Sequence, residues 1–189
     1  TVGRIDDSGR ATDMADYSKL LKGLREAIEA ETVPTNKAKL IFSVTVPGGP
    51  AITAYNGTQI AEQADWINVK TFNLIPENPT VTAHHTQLKG DDNNNMTVDW
   101  TISQLLSQGV SRKQIVMGLS SHGKGFQLSD QAHNGVGDPV NGFQSGYCSS
   151  GDFYYDVPYY EIAENLRTKT WVSHVDNNTD CVYAGVDSM

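Results

Sequence analysis

The sequence predicts an α/β fold built from βα units on a parallel sheet, followed by a smaller α+β region. Three observations carry this. Leu40–Val46 is apolar at nearly every position, as expected for a parallel strand buried on both faces, and the stretch Ala64–Asn73 reads as a buried parallel strand that ends in polar residues. Amphipathic helical stretches stand between the strand-like runs, in the alternation typical of βα units. From Gly125 onward the texture changes, and glycines and aromatics crowd 135–155.

The elements follow in order. Residues 1–12 are polar and turn-like. Met14, Tyr17, Leu20, Leu21, Leu24 and Ile28 are spaced by three and four, which predicts a helix over 13–31 with one buried stripe. Thr12 or Asp13 would cap it, and Pro34 would end the segment. The strand Leu40–Val46 stops at Pro47-Gly48-Gly49-Pro50. A short helix over 58–64 leads into the strand Trp66–Phe72. A polar loop over 76–95 precedes a second amphipathic helix, 98–108, which Gly109 ends. Gln114–Leu119 is the next strand, followed by Ser120-Ser121-His122-Gly123-Lys124. Asp156-Val157-Pro158 reads as an N-cap and a first-turn proline opening a helix over 159–167. Short strand-like pieces fill 171–189.

Composition limits the function classes. Apolar residues make up 38% and charged residues 19%, with a net charge of −8. No basic patch is present, which argues against nucleic acid or an anionic membrane as partner. No apolar run approaches the roughly 20 residues of a membrane-spanning helix. No signal peptide is visible, so any secretory leader is expected to have been removed or to lie outside the sequence. Three N-x-T sequons, at Asn56, Asn95 and Asn177, favour an extracellular protein. In that setting Cys148 and Cys181 are read as a disulfide, with two buried thiols as the alternative. His84-His85 could suggest a metal, but neighbouring histidines on a strand point apart and no Cys or Asp cluster supports them. No metal or cofactor is expected.

The stretch Ala64-Asp65-Trp66-Ile67-Asn68-Val69-Lys70-Thr71-Phe72-Asn73 resembles the sixth barrel strand of glycoside hydrolase family 18, the chitinases and chitinase-like proteins. The family pattern is A/D/V-D-F/W-I/V-N-V-M-T-Y-D. Further stretches keep the family's order. Residues 9–27 resemble the helix after strand four of fungal chitinases, and Leu40–Pro47 resembles strand five. Residues 107–124 resemble K-G-V-x-x-x-K-I-V-x-G-I-P-x-Y-G-R, and Tyr159-Tyr160-Glu161-Ile162 resembles the Y-Y-E-I of the insertion domain. The resemblance implies a partial (β/α)8 TIM barrel holding strands five to seven over 1–124, with an α+β chitinase-type insertion subdomain over 125–189. A complete barrel usually needs about 250 residues. Three strands would leave two parallel edges unpaired, to be completed by the remainder of the same barrel or by another chain.

The family's hydrolytic acid is the last residue of D-x-x-D-x-D-x-E on strand four, and the substrate's own acetamide serves as nucleophile. Glu26, Glu29, Glu31, Glu62, Glu77, Glu161 and Glu164 all lack an Asp two residues earlier, so the motif is absent from these residues and no catalytic residue is assigned. By resemblance, Lys70, Phe72 and Asn73 stand where the family has groove-lining Met, Tyr and Asp. His122 and Lys124 stand where it has Tyr and Arg. These five are the expected substrate-binding residues. Phe72 keeps a stacking face without a hydroxyl, Asn73 keeps the shape without the charge, and Lys124 lacks the guanidinium fork. Lys70 shares a strand face with Asn68 and Phe72. It would pair with a carboxylate from elsewhere or stay solvated where the barrel is open, and the second reading is preferred. Phe143, Tyr147, Phe153, Tyr154, Tyr155, Tyr159 and Tyr160 are read as subdomain core rather than as a sugar-stacking surface.

The expectation is a secreted chitinase-like protein that binds N-acetylglucosamine polymers, chitin or chito-oligosaccharide. Hydrolysis would be lost or would depend on residues outside this sequence. The alternatives are a piece of an active chitinase and a structural domain that reuses half a barrel without binding sugar.

Overall fold

The structure, a computed structural model, describes residues 12–35, 40–90, 94–130, 135–144, 156–179 and 181–185. By contact density the chain divides into two units. One comprises Thr1–Thr71 with Asp99–Gly118, the other Phe72–Val98 with Leu119–Met189.

The first unit is a layered α/β arrangement. Three parallel strands, β1 (Ser43–Pro47), β2 (Trp66–Lys70) and β3 (Ile115–Met117), pair in the order β1-β2-β3. Their register sets Val44 beside Ile67 and Val69 beside Met117. Helices α1 (Asp13–Thr35), α2 (Gly57–Gln63) and α3 (Val98–Ser107) complete the unit. Val44, Val46, Ile67 and Val69 point to one face of the sheet and form a single core with Leu21, Ile60, Leu105 and Val110.

The expectation of strands covered on both faces is corrected. Ser43, Thr45, Trp66 and Lys70, on the other face of β1 and β2, are exposed. Alternation of side chains puts every second residue on that face, and no described element of this unit covers it. The strands are also shorter than expected. Leu40 and Ile41 precede β1 and are exposed, and the Phe42 N–H bonds to the Asp65 carboxylate at 2.8 Å. β2 stops at Lys70, where the Thr71 N–H turns back to the Val69 carbonyl.

Helix α1 runs to Thr35 and includes Pro34, which in a final turn removes only one backbone donor. Its buried stripe is narrower than expected. Leu21 and Arg25 are buried, while Leu20 and Leu24 flank them and are exposed. Helix α2 is capped by Asn56, whose side chain accepts the Gln59 N–H at 3.1 Å.

Among the described residues, the second unit holds three two-stranded antiparallel pairs: β4 (His122–Lys124) with β7 (Asp156–Pro158), β5 (Phe126–Leu128) with β6 (Val140–Phe143), and β8 (Val172–Asp176) with β9 (Cys181–Gly185). Helix α4 (Tyr159–Arg167) follows β7 directly. Asp156 is therefore a strand residue rather than a helix cap, and Pro158 holds the N-cap position. The sequence reading of these three residues as a helix start missed the pairing with β4. The expected aromatic core is corrected where it can be seen. Tyr159 and Tyr160 are exposed, Phe143 packs against Phe126 with ring centroids 5.5 Å apart, and Tyr147, Phe153, Tyr154 and Tyr155 lie outside the described residues. Cys148 also lies outside them. Cys181 is buried and forms no disulfide among the described residues.

Candidate functional site

Within the second unit, Phe72 and Asn73 follow the end of β2 in sequence and meet the residues of β4 and β7. Asn73 adopts φ 60°, a left-handed conformation in which Asn is among the few tolerated side chains. Two contacts hold it there. Its backbone N–H donates to Nδ1 of His85 at 3.3 Å, and its Oδ1 lies 3.2 Å from Nε2 of His122. The next N–H, of Leu74, donates to the His85 carbonyl at 2.9 Å. His85 thus receives two consecutive backbone donors.

His85 is buried. Because Nδ1 accepts from Asn73, the ring proton sits on Nε2, which donates to the His122 carbonyl at 3.1 Å. Both nitrogens are committed in the neutral form. Burial is the main cause that pushes the His85 pKa down to about 4, and the neighbouring His122 adds to it. The two imidazoles stack with centroids 5.3 Å apart and 29° between planes. Phe72 and His122 meet in a T-shaped contact with ring centroids 6.1 Å apart.

His122 carries a second set of partners. Its Nδ1 lies 3.0 Å from the Ser120 hydroxyl. Its Nε2 faces two acceptor oxygens, Asn73 Oδ1 and, at 3.5 Å, Asp156 Oδ1. Two acceptors at one nitrogen place the proton on Nε2. Asp156 also takes the Lys124 ammonium as an ion pair. Burial lowers the His122 pKa, Asp156 opposes this, and Lys124 reinforces it.

The structure therefore brings together Phe72, Asn73, His122 and Lys124, four of the five residues expected from the sequence. Lys70 ends β2 in the first unit with an exposed side chain. Three participants were missed. Ser120 follows β3 by three residues and could have been flagged by its place beyond a strand end. Asp156 was read as a helix cap. His85 was weighed only as a metal ligand. Its neighbour His84 faces elsewhere, with Nε2 3.1 Å from Asp176. The Thr179 hydroxyl, then the Asn178 N–H and His84, hold the Asp176 carboxyl below its usual range.

Chemically the cluster is a neutral hydrogen-bonding surface. Its one clear cation, Lys124, is matched by Asp156, and Asn73 supplies an exposed carboxamide.

The chain is 29% identical over 184 residues to chitinase A1 of Niallia circulans, covering 89% of this chain and 26% of that protein. Among solved structures it is similar to the Group IV chitinase of Ostrinia furnacalis, with TM-score 0.81 and 26% identity over 98% of this chain and 50% of that one. It is also similar to a class V chitinase from Nicotiana tobaccum, solved in complex with NAG4. There the TM-score is 0.84 with 22% identity over 94% of this chain and 51% of that one. The chain thus spans about half the length of these solved structures. The family model described as glycosyl hydrolases family 18 matches residues 5–188, and the chain belongs to that family.

Proposed function

We propose that this chain is a chitinase-like segment that binds N-acetylglucosamine polymers through Phe72, Asn73, His122 and Lys124, with Lys70 a ligand contact by family resemblance. The observation that carries the reading is the Asn73 carboxamide, exposed at the end of a strand and braced by His122. A class V chitinase of similar fold has been solved with NAG4, which supports a chito-oligosaccharide as the ligand class. In this reading residues 1–124 supply strands five to seven of a barrel and 125–189 the insertion subdomain. The exposed face of β1 and β2 and the outer edges of β1 and β3 are completed by the remainder of the barrel, from the same polypeptide or another chain. The protein is extracellular, with glycans at the exposed Asn56, Asn95 and Asn177 and a Cys148–Cys181 disulfide.

These residues alone supply no family acid, so the segment binds without hydrolysing. One observation favours a second reading. The chain covers about half of each similar solved structure, so a larger protein containing a D-x-x-D-x-D-x-E would be an active chitinase. The test is retention of the 189-residue protein on chitin, with turnover of a tetrameric chito-oligosaccharide. Retention without turnover supports binding alone. Turnover by these residues overturns it, and loss of retention leaves the structural role.

A further inference from the structure

We propose that His85 is the positioning residue of this site, holding Asn73 so that its carboxamide offers an N–H donor, and hence selects an acceptor oxygen on the ligand rather than a cationic group. The donor preference rests on the reading that Asn73 meets the sugar. The positioning itself does not.

The geometry leads there in steps. His85 fixes the Asn73 backbone through Nδ1 and the Leu74 backbone through its carbonyl. It also stacks on His122 and donates to the His122 carbonyl. His122, so placed, directs its Nε2–H at Asn73 Oδ1. The carboxamide oxygen thereby accepts that N–H, and the side chain, exposed as a whole, keeps its amide N–H groups to offer a ligand. An Asp at this position, as in the family pattern, would offer acceptors only. The substitution of Asn thus reverses the hydrogen-bonding sense of the position, and His85 with His122 fixes that sense. An acetamide carbonyl or a sugar hydroxyl satisfies such a donor, whereas the ammonium of a deacetylated sugar opposes it.

The arrangement has a protonation limit. A proton on His85 Nδ1 would face the Asn73 N–H and break that bond. The titratable groups around the ring are His122, Lys124 and Asp156. The first two resist the added charge and Asp156 favours it, while burial resists it most.

The first test needs no variant and no ligand. Nitrogen-15 NMR of the histidines in the 189-residue protein is expected to show His85 as the Nε2–H tautomer, titrating at about 4. An Nδ1–H tautomer, or titration in the ordinary histidine range, overturns the positioning. The second test measures binding of the tetra-N-acetylated oligosaccharide and of its deacetylated counterpart. Wild type is expected to prefer the acetylated form by about tenfold, and Asn73→Asp to lose that preference. His85→Leu is expected to weaken binding about tenfold, the cost of one hydrogen bond lost from a positioned group. His85→Asn keeps an acceptor near the Nδ1 position and is expected to restore affinity without the acid-side loss. Equal affinity for both oligosaccharides in wild type overturns the donor preference. The expected tautomer with no binding of either sugar overturns the ligand reading and supports the positioning.

Discussion

Arg25 Nη2 lies 3.0 Å from Asp65 Oδ2, and that same oxygen accepts the Phe42 backbone N–H at 2.8 Å. Asp65 stands at the start of the strand motif that first marked the family. Here it ties helix α1 to the entry of β1, while Arg25 also donates to the Gln63 carbonyl at 2.6 Å. Arg25 is only 8% exposed, and removing one partner of a buried pair leaves an uncompensated charge. Asp65→Ala is expected to destabilise the protein by about 3 kcal/mol, read as a lowered urea midpoint. An unchanged midpoint would show the pair to be incidental.

Gly125 is the first residue after β4, and its carbonyl accepts the Gln144 N–H at 2.9 Å. An added Cβ would run into the Gln144 backbone carbonyl and lie 3.2 Å from Val157 Cγ2. Backbone cannot swing aside as a side-chain tip can. Gly125→Ala is therefore expected to cost about 3 kcal/mol, at the upper end of overpacking. The same change at Gly137 meets nothing within 4 Å, but its φ of 89° disfavours any side chain, so Gly23, in open space within α1, is the better control. There Ala is expected to stabilise by roughly 1 kcal/mol.

Phe72, Asn73, His122 and Lys124 were named through the family resemblance, which put them at strand ends. An apolar run that turns polar marks where a parallel strand delivers side chains to a site. What surrounds those ends was not legible. His85 comes from a loop with no periodicity, and its role depends on a backbone N–H twelve residues away. Asp156 sits in a D-V-P sequence whose local chemistry points to a helix cap, and only the non-local pairing of β7 with β4 makes it a strand residue. The one-sided cover of the sheet was equally hidden. Alternation tells which residues share a face, whereas the elements packed on that face are a tertiary fact. Leu20 and Leu24 show the same limit on a helix. Their spacing fits a wide apolar stripe, but the neighbouring elements cover only the part around Leu21 and Arg25.

Asn56 joins two roles that separate by mutation. Its side chain caps α2, and it begins the sequon Asn56-Gly57-Thr58. Asn56→Asp keeps an accepting oxygen, so stability is expected to stay within about 0.5 kcal/mol, while Asn56→Ala is expected to cost about 1 kcal/mol. On protein from a secretory host, both changes are expected to remove one glycan by mass. A mass unaffected by either change would show that Asn56 is not modified.

Asn73 separates fold from recognition. Glycine adopts φ 60° without steric cost, so Asn73→Gly is expected to leave the thermal midpoint nearly unchanged. The same change removes the carboxamide and is expected to weaken retention on chitin about tenfold. Asn73→Val puts a β-branched residue in the left-handed region and is expected to cost at least about 1 kcal/mol. If Asn73→Gly keeps full retention, the side chain is not part of the binding surface.

Acid sensitivity follows from His85. Its pKa is pushed down from 6.5 to about 4 in the folded protein, so between those values the unfolded chain binds the extra proton and the folded one does not. Stability therefore rises with pH across this window. The contribution is fully present above 6.5 and is lost as pH falls to about 4. A depression of this size is worth on the order of 3 kcal/mol. His122 is shifted in the same direction and adds to the same limb. Asp176 acts lower, because its carboxyl is depressed below the ordinary carboxylate value. Its contribution is present above that value and disappears only as pH falls through its folded pKa. Urea midpoints of wild type are expected to drop steeply between pH 6.5 and 4, the window that His85 sets. His85→Asn, which cannot titrate there, is expected to flatten that limb and leave the one below it. A wild-type midpoint that stays level across the window would mean that the His85 ring carries its proton as easily in the folded protein as in the unfolded one, and that the bond from Asn73 does not constrain it.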